Sequence, residues 1–143
     1  MKIKIKKMHP NTVVPKYACK GDAGLDLTAV AIEHDKYGNV VCDTGLAFEI
    51  PDGYVGLLFP RSSIANKQLT LSNSVGVLDS SYRGSVTFKF KPTNGRELVS
   101  DPYEVGDRIG QIIIMPIPSI EFVEVDELNN TERGSGGYGH TGR

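Results

Sequence analysis

Two carboxylates lie in segments where they could orient or deprotonate a water molecule. The first, Asp26, lies in Ala23-Gly-Leu-Asp-Leu-Thr-Ala29, where strand alternation puts Leu25 and Leu27 on one face and Asp26 and Thr28 on the other. If the second face meets only solvent, Asp26 is an ordinary surface residue. If that face lines a site, its carboxylate could orient a water bound to a metal ion.

The second carboxylate, Asp79, falls in a segment with the pattern of a β-hairpin, Val75 to Gly84, with Asp79-Ser-Ser-Tyr82 at the bend. Aspartate is common at the first position of a turn, so a structural role is expected. That role does not exclude chemistry, because a well-held carboxylate at a hairpin end could accept a proton from an attacking water.

Possible anion ligands follow an apolar run. Arg61, Ser62 and Ser63 open the pattern of a short helix, so the guanidinium, the hydroxyls and the helix N–H groups could bind a phosphate. Alternatively, Ser62 or Ser63 caps that helix. Further along, Gln111 could donate to a phosphate oxygen, while Asp107 and Arg108 are expected to form a structural pair.

The C-terminal segment, residues 133–143, is rich in glycine and phosphate-binding groups. Its glycines let successive N–H groups turn toward an anion, Arg133 offers a guanidinium fork, and Ser135 and Thr141 offer hydroxyls. Tyr138 provides a ring on which a nucleobase could stack. A frayed terminus is the simpler alternative, since such a composition buries little apolar surface.

The elements that would position these groups are short strands. Turn residues separate apolar runs that predict an all-β sandwich, barrel or jelly roll, with one short helix near Ser62–Lys67. The run Ile112–Met115 is apolar on both faces, which predicts a central, fully buried strand. The predicted strands are Lys2–Lys6, Leu25–Ile32, Leu46–Ile50, Tyr54–Pro60, Val75–Leu78, Ser85–Lys91, Gln111–Ile117 and Glu121–Val125.

Composition describes one soluble domain. The chain has 143 residues, a formal net charge of −1 and 23% charged residues, so no basic excess indicates a nucleic-acid partner. It contains no apolar run of membrane-spanning length and no signal-peptide pattern, which favours an intracellular protein with no membrane partner. The composition changes after about Leu128, which predicts a β domain over 1–128 and a flexible glycine-rich arm over 129–143.

Taken together, these groups suit a nucleoside triphosphate, and five segments carry a family resemblance. In order they read AGLDLTA, PRSSIA, GVLDSSYRG, GDRIGQI and RGSGGYGHTG, spanning Ala23 to Gly142. The chain thereby resembles the homotrimeric deoxyuridine triphosphate nucleotidohydrolases, or dUTPases.

The resemblance implies a jelly-roll-like subunit in a homotrimer whose active sites are shared between subunits, with the arm of one closing over substrate held by the others. The implied reaction is dUTP + H2O → dUMP + pyrophosphate, assisted by Mg2+. It would limit uracil incorporation into DNA and supply dUMP for thymidylate synthesis.

The resemblance also implies a role for each site residue. Asp79 would be the base that activates the water attacking the α-phosphorus, and Tyr82 would pack under the deoxyribose and exclude a 2′-hydroxyl. Asp26 would contact Mg2+ through water, with the ion held mainly by the triphosphate. The remaining expected contacts are Asn73, Val77 and Leu78 to uracil, Arg61, Ser62, Ser63 and Gln111 to phosphates, and Arg133, Ser135, Gly136, Tyr138 and Thr141 from the arm, with Tyr138 stacking on uracil.

Two other functions are compatible with this fold, and each differs from dUTP hydrolysis in a feature that can be tested. A dCTP deaminase would share this fold, but it would need a general acid/base, usually a glutamate, beside cytosine C4, whereas this chain has Asp79 in a DxxYRG context. Ammonia release from dCTP would identify it. An interaction protein that keeps only the fold could lose Asp79 or the arm, and both are present.

Overall fold

The computed structural model describes residues 1–93 and 102–138. Within those residues its regular structure is ten strands and one 3-10 helix, Ser62–Asn66. The strands are β1 (Lys4–Lys7), β2 (Leu25–Thr28), β3 (Ala31–His34), β4 (Val40–Asp43), β5 (Leu46–Glu49), β6 (Tyr54–Pro60), β7 (Leu69–Leu71), β8 (Gly76–Leu78), β9 (Thr87–Pro92) and β10 (Arg108–Pro116).

The strands form two four-stranded sheets and a two-stranded ribbon. The first sheet has the order β2-β10-β6-β8, the second has the order β3-β4-β9-β7, and β1 pairs with β5. The predicted all-β class, with one short helix near Ser62–Lys67, is confirmed.

The core lies between the two four-stranded sheets. Leu27 and Ile112 of the first sheet and Phe88 and Phe90 of the second are at most 1% exposed and belong to one apolar cluster. At Gly110 the sheets come so close that a Cβ would overlap the Phe88 ring. This packing fixes the first sheet, whose strand ends carry the candidate site.

One predicted strand, Leu25–Ile32, is two strands in the structure. The N–H of Ala29 donates to Asp107 O at 2.9 Å, and that of Val30 donates to Asp43 O at 2.7 Å. The chain therefore leaves the first sheet and enters the second between these residues. Strands β4 and β7 were not predicted.

The hairpin predicted over Val75 to Gly84 is wrong, although its bend is right. Strand β8 pairs with β6, and β9 pairs with β4 and β7 in the other sheet, because Val86 crosses over and donates its N–H to Leu46 O. The turn itself forms, with Tyr82 N–H donating to Asp79 O at 3.1 Å.

Strand β10 is central, as predicted, but only partly buried. Ile112 is 1% exposed, and Ile114 on the same face is half-buried against the core cluster. On the other face Ile113 is half-buried and Met115 is exposed, because no layer covers that face in a single chain. The prediction of full burial is therefore wrong.

The predicted strand Glu121–Val125 does not form either, because an extended segment needs a neighbouring strand and none of the described strands pairs with it. Phe122 is 92% exposed and Val123 is 78% exposed. Regular structure among the described residues ends at Pro116, and the proposed division at residue 128 stays a prediction.

Candidate functional site

The candidate residues form two groups on the first sheet. At one end, Gln111 of β10 lies opposite Asp26 of β2 and Phe59 of β6. Arg61 follows directly after β6. Sheet pairing therefore brings together residues from three of the five sequence segments.

A β-bulge completes this first group. In a regular strand, residues three apart point to opposite faces. The pairing of β10 with β2 shifts between Arg108 and Gly110, so Arg108 lies opposite Thr28 while Gln111 lies opposite Asp26. Because Thr28 and Asp26 share a face, the bulge puts Arg108 and Gln111 on that face together.

Asp26 is held on both carboxylate oxygens. Arg61 Nε donates to Oδ1 at 3.0 Å, and Arg108 Nη1 donates to Oδ2 at 3.0 Å. The Asp26 and Arg61 side chains are each 28% exposed. Two guanidinium groups around one carboxylate leave the group with a net positive charge, which suits an anionic ligand.

Arg108 is thus the functional residue that the sequence analysis placed wrongly, since its ionic partner is Asp26 rather than Asp107. Asp107 instead accepts the backbone N–H of Glu104 at 2.9 Å and closes the turn before β10. The bulge that moves Arg108 leaves no signal in the sequence.

Gln111 is oriented by its neighbours. Its Nε2 donates to Pro60 O at 3.2 Å. On the other side, Gly24 leaves the space that the amide occupies, because a Cβ at that position would overlap Gln111 Oε1 and lie 3.1 Å from Cδ. A cavity of about 250 Å³ opens here, and its lining includes Lys16 and Asp22, which the sequence analysis did not select.

Ser62 and Ser63 open the 3-10 helix next to this group. The N-cap is Arg61, and no side-chain hydrogen bond caps the helix. The alternative in which Ser62 or Ser63 serves as the cap is therefore wrong, and the two hydroxyls stand beside Arg61 without that structural task.

The second group surrounds a pocket of about 180 Å³ beside β8, at the edge of the same sheet, and the pocket lining reaches Leu58 in the middle of β6. Its lining includes Asn73, Val77, Leu78, Asp79 and Tyr82. The structure thus brings together Asp79, Tyr82 and the expected uracil contacts of the Asn73–Leu78 segment, whereas Tyr138, which was also expected on uracil, is not part of this lining. It adds Ser85, Val86 and Thr87 to the lining.

Within this pocket the side chains differ in exposure. Val77 is 61% exposed, while Leu78 points into the core and offers the pocket mainly its backbone. Tyr82 Oη donates to Ser85 O at 3.1 Å, and its ring covers Gly84, where a Cβ would lie 2.6 Å from Cζ. The tyrosine ring is therefore held against Gly84, within the lining that also contains Asp79.

The two groups are separate within one chain. Leu78, next to Asp79, pairs with Gly56, whereas Arg61 follows Pro60. Four residues of extended strand span about 13 Å. A single chain therefore does not place Asp79 among the residues of the first group.

The described part of the arm makes its own local turn. Arg133 Nε donates to Gly136 O at 2.8 Å, Gly136 N–H donates to Arg133 O at 3.0 Å, and Tyr138 is fully exposed. These hydrogen bonds lie within the arm, so the structure does not bring Arg133, Gly136 or Tyr138 to either group. Thr141 lies outside the described residues.

No cluster of three or more histidine, cysteine, aspartate or glutamate side chains suited to a metal occurs in the described parts of the chain. Asp26 is the carboxylate between the two guanidinium groups, while Asp22 in the same cavity lining accepts the N–H of Cys19. Such a donor set fits an ion held mainly by a ligand's own phosphates better than one held by the protein. In the same residues, no helix is long and apolar enough to span a membrane.

Comparison with known proteins identifies the architecture as that of nucleotide-hydrolysing β enzymes. The dUTPase family model matches residues 11–142. A deoxyuridine 5'-triphosphate nucleotidohydrolase of Hydrogenobaculum sp. is 38% identical over 99% of both chains, and that of Wolinella succinogenes is 40% identical over 100% of this chain and 95% of its own. The chain therefore belongs to the dUTPase family, and the predicted enzyme class, dUTP diphosphatase, is confirmed.

Solved structures of dUTPases superpose on this chain. A variant of the Staphylococcus bacteriophage 80alpha dUTPase with dUpNHpp superposes with a TM-score of 0.82, 26% identity and 99% coverage of both chains. The phage phi11 dUTPase of S. aureus, in a variant that coordinates a structural Mg(II) ion, gives a TM-score of 0.72 at 26% identity, covering 89% of this chain and 98% of its own. The jelly-roll-like dUTPase fold is thereby confirmed.

Proposed function

We propose that this chain hydrolyses dUTP to dUMP and pyrophosphate by in-line attack of an Asp79-activated water on the α-phosphorus. One observation carries the proposal: the Asp79–Tyr82 turn holds a carboxylate in the lining of the pocket that Asn73 and Tyr82 also line. From there, Asp79 can orient a water and accept its proton.

Base and sugar selection follow from the same pocket. Asn73 and the backbone of β8 line it and can pair with the edge of uracil. Cytosine has its donor and acceptor exchanged on that edge, with an acceptor at N3 and an amino donor at C4, and would leave protein groups unpaired. The ring of Tyr82, fixed through Ser85, would lie under the deoxyribose and leave no room for a 2′-hydroxyl.

The first group would bind the phosphates. Arg61 and Gln111 would donate to their oxygens, with Ser62 and Ser63 adding hydroxyls, and Arg108 keeps the local charge positive. Bound Mg2+ would supply charge neutralisation on the triphosphate. Asp26 would hold one of its coordinated waters, a role that fits a carboxylate already oriented on both oxygens.

We further infer a homotrimer with active sites shared between subunits. The supporting observation is the separation of the two groups along β6, because the phosphates are bonded directly to the nucleoside and must lie near the base pocket. A second copy can supply the missing group. The exposed apolar side chains of Phe122, Val123 and Leu128 are suited to covering by such a copy.

The arm, residues 129–143, would close the site. Arg133, Ser135, Gly136 and Thr141 would bind the γ-phosphate, and Tyr138 would stack on uracil and exclude bulk water. A chain truncated after Leu128 should keep its assembly and lose nearly all turnover. In an intracellular setting, the reaction would limit uracil incorporation into DNA and supply dUMP for thymidylate synthesis.

Pyrophosphate release from dUTP, dTTP, dCTP and UTP, with Mg2+ and with chelator, tests the reaction. We expect release from dUTP alone, abolished by chelator. Asp79→Asn should lower kcat by about a thousandfold while dUTP still binds, because an amide cannot accept the proton. The matched control, Asp52→Asn, changes a carboxylate at an exposed turn and should be normal.

Hydrolysis in 18O-labelled water tests which phosphorus is attacked. The proposal requires the label to appear in dUMP. Label in pyrophosphate, or normal turnover by Asp79→Asn, would contradict the mechanism, and ammonia release from dCTP would indicate deamination.

A further inference from the structure

The loop that carries Asn73 into the base pocket has a demanding conformation. It joins β7 to β8, which belong to different sheets. Ser74 adopts a left-handed conformation with φ of 62°, and Val75 N–H donates to Asn73 O at 2.6 Å. Because non-glycine residues rarely adopt positive φ, surrounding contacts must hold this loop in place.

Ser72 is the anchor at the start of the loop. Its N–H donates to Lys89 O at 2.8 Å, and its Oγ donates to Asn39 Oδ1 at 2.9 Å. Asn39 is only 5% exposed, although it lies at the end of the loop before β4. The loop is therefore anchored to a buried amide, that of Asn39, by the hydrogen bond from the Ser72 hydroxyl.

Asp35 fixes the orientation of that amide. Asn39 Nδ2 donates to Asp35 Oδ2 at 2.8 Å and to Oδ1 at 3.0 Å. Since the amide nitrogen is engaged by a carboxylate, the oxygen must face Ser72 and can only accept. The amide cannot flip without placing its oxygen against the Asp35 carboxylate.

Lys89 closes the circuit. Its Nζ donates to Asp35 Oδ2 at 3.1 Å, and its backbone oxygen receives the Ser72 N–H. The hydrogen bond from the Asn39 side chain, with help from Lys89, lowers the pKa of Asp35 far below its usual range. Asp35 is therefore a carboxylate at neutral pH. The hydrogen-bonded circuit of Ser72, Asn39, Asp35 and Lys89 pairs these polar groups with one another, which favours a single arrangement of the four side chains and the loop.

We propose that Ser72, Asn39 and Asp35 are positioning residues that set the place of Asn73 in the base pocket and thereby the preference for uracil over cytosine. None of the three lines the pocket, so they act through the loop. The inference rests on the proposed function, because it assigns the circuit to base recognition by that same site.

Ser72→Ala in the full-length protein tests it. The variant loses one hydrogen bond that places the loop, worth about 1 kcal/mol, so the KM for dUTP and the Kd for dUMP should each rise about fivefold. The ratio of kcat/KM for dUTP over dCTP should fall by a similar factor. The kcat for dUTP should stay within about twofold, because Asp79 is held by its own turn.

Two further variants separate positioning from stability. Ser72→Thr keeps the hydroxyl and should behave as the unchanged protein. Thr93→Val removes a hydroxyl that donates to Gln68 O at 3.0 Å at the other end of the β7–β9 pair, so it should leave KM and selectivity unchanged. Each variant's KM, Kd and selectivity are expressed relative to those of the unchanged protein. The dUTP turnover of the unchanged protein tests the proposed function separately.

The proposal is overturned if Ser72→Ala keeps the KM and the selectivity of the unchanged protein and loses only thermal stability. It is equally overturned if Ser72→Thr shows the same defect as Ser72→Ala, because the hydroxyl would then not be the cause.

Discussion

Asp26 shows how single residues shape this site. Its carboxylate is oriented by Arg61 and Arg108 before any ligand arrives, so little reorganisation is needed when a triphosphate binds. Gln111 is oriented in a comparable way, by the Pro60 carbonyl on one side and by the absence of a side chain at Gly24 on the other.

Gly24→Ala should therefore impair the enzyme through Gln111. The new methyl would displace the amide from Pro60 O, and we expect kcat/KM for dUTP to fall by about tenfold, as for the loss of a hydrogen bond to a charged ligand. Folding should be little affected, because the displaced atom is the end of a flexible side chain. Steady-state kinetics and a melting curve measure the two effects.

A double-mutant cycle supplies the control. In a Gln111→Ala background, Gly24→Ala should cause almost no further loss, because the amide that it displaces is gone. Additive losses would show that Gly24 acts by some other route.

Tyr103 gives the chain a specific alkaline sensitivity. It is 3% exposed, its ring contacts Phe90 at a centroid distance of 5.1 Å, and its hydroxyl has no hydrogen-bond partner in the described residues. Burial, with a smaller contribution from Cys42, raises the pKa of Tyr103 from 10.0 to about 12. Between these values the unfolded chain loses the phenolic proton and the folded chain keeps it, so stability falls as pH rises.

Tyr103→Phe should remove that part of the alkaline loss. The free energy of unfolding of the variant relative to the unchanged protein should be constant below about pH 9 and should grow in the variant's favour from about pH 10 to pH 12. At neutral pH the variant should be at least as stable, since an unpaired buried hydroxyl is gone. Denaturant titrations across this range measure the difference, and parallel curves would contradict the argument.

Strand β10 is the element on which the site depends. It pairs with β2 on one side and β6 on the other, its bulge turns Arg108 toward Asp26, and Gly110 lets Phe88 of the opposite sheet approach. One strand thus joins the phosphate-binding residues to the core.

Gly110→Ala should consequently destabilise the fold. The methyl would overlap a ring that is 1% exposed and has little room to move, which is overpacking with a cost of about 1–3 kcal/mol. Chemical denaturation at fixed protein concentration measures this cost. Adding Phe88→Leu should recover part of it, and no recovery would locate the strain elsewhere.

Local chemistry explains what the sequence could predict about these elements. Strand β6 was predicted with its observed bounds, because an apolar run ends at Pro60 and begins after a Pro-Asp-Gly turn. The bend at Asp79 was equally readable from its turn residues. The pairing of β8 with β6 was not readable, since strand neighbours depend on contacts across the whole fold.

The other features that the sequence did not predict also have physical reasons. The bulge beside Arg108 changes which face a side chain occupies without changing residue type, so Arg108 could not be assigned to Asp26. Strand β7 has only three residues, too few to show a period. The circuit around Asn39 joins residues far apart in the chain, and no spacing rule connects them.

At the scale of the whole molecule, the proposed active site requires residues from more than one chain. Asp79 follows Leu78, which pairs with Gly56 near the start of β6, whereas Arg61 of the first group follows the end of that strand. Phe122 and its neighbours are exposed apolar side chains beyond the last described strand. Both features are explained if each active site takes its base pocket from one copy and its phosphate-binding residues from another.

Activity in mixed assemblies tests this claim most directly. Arg61→Ala and Asp79→Asn chains, each inactive alone, are unfolded together and refolded at equal concentrations, and dUTP turnover is measured. If sites are shared between copies, random mixing should restore about a quarter of the activity of the unchanged protein, because that share of sites combines two intact groups. If mixed assemblies form and remain inactive, each site lies within one chain and the account is contradicted.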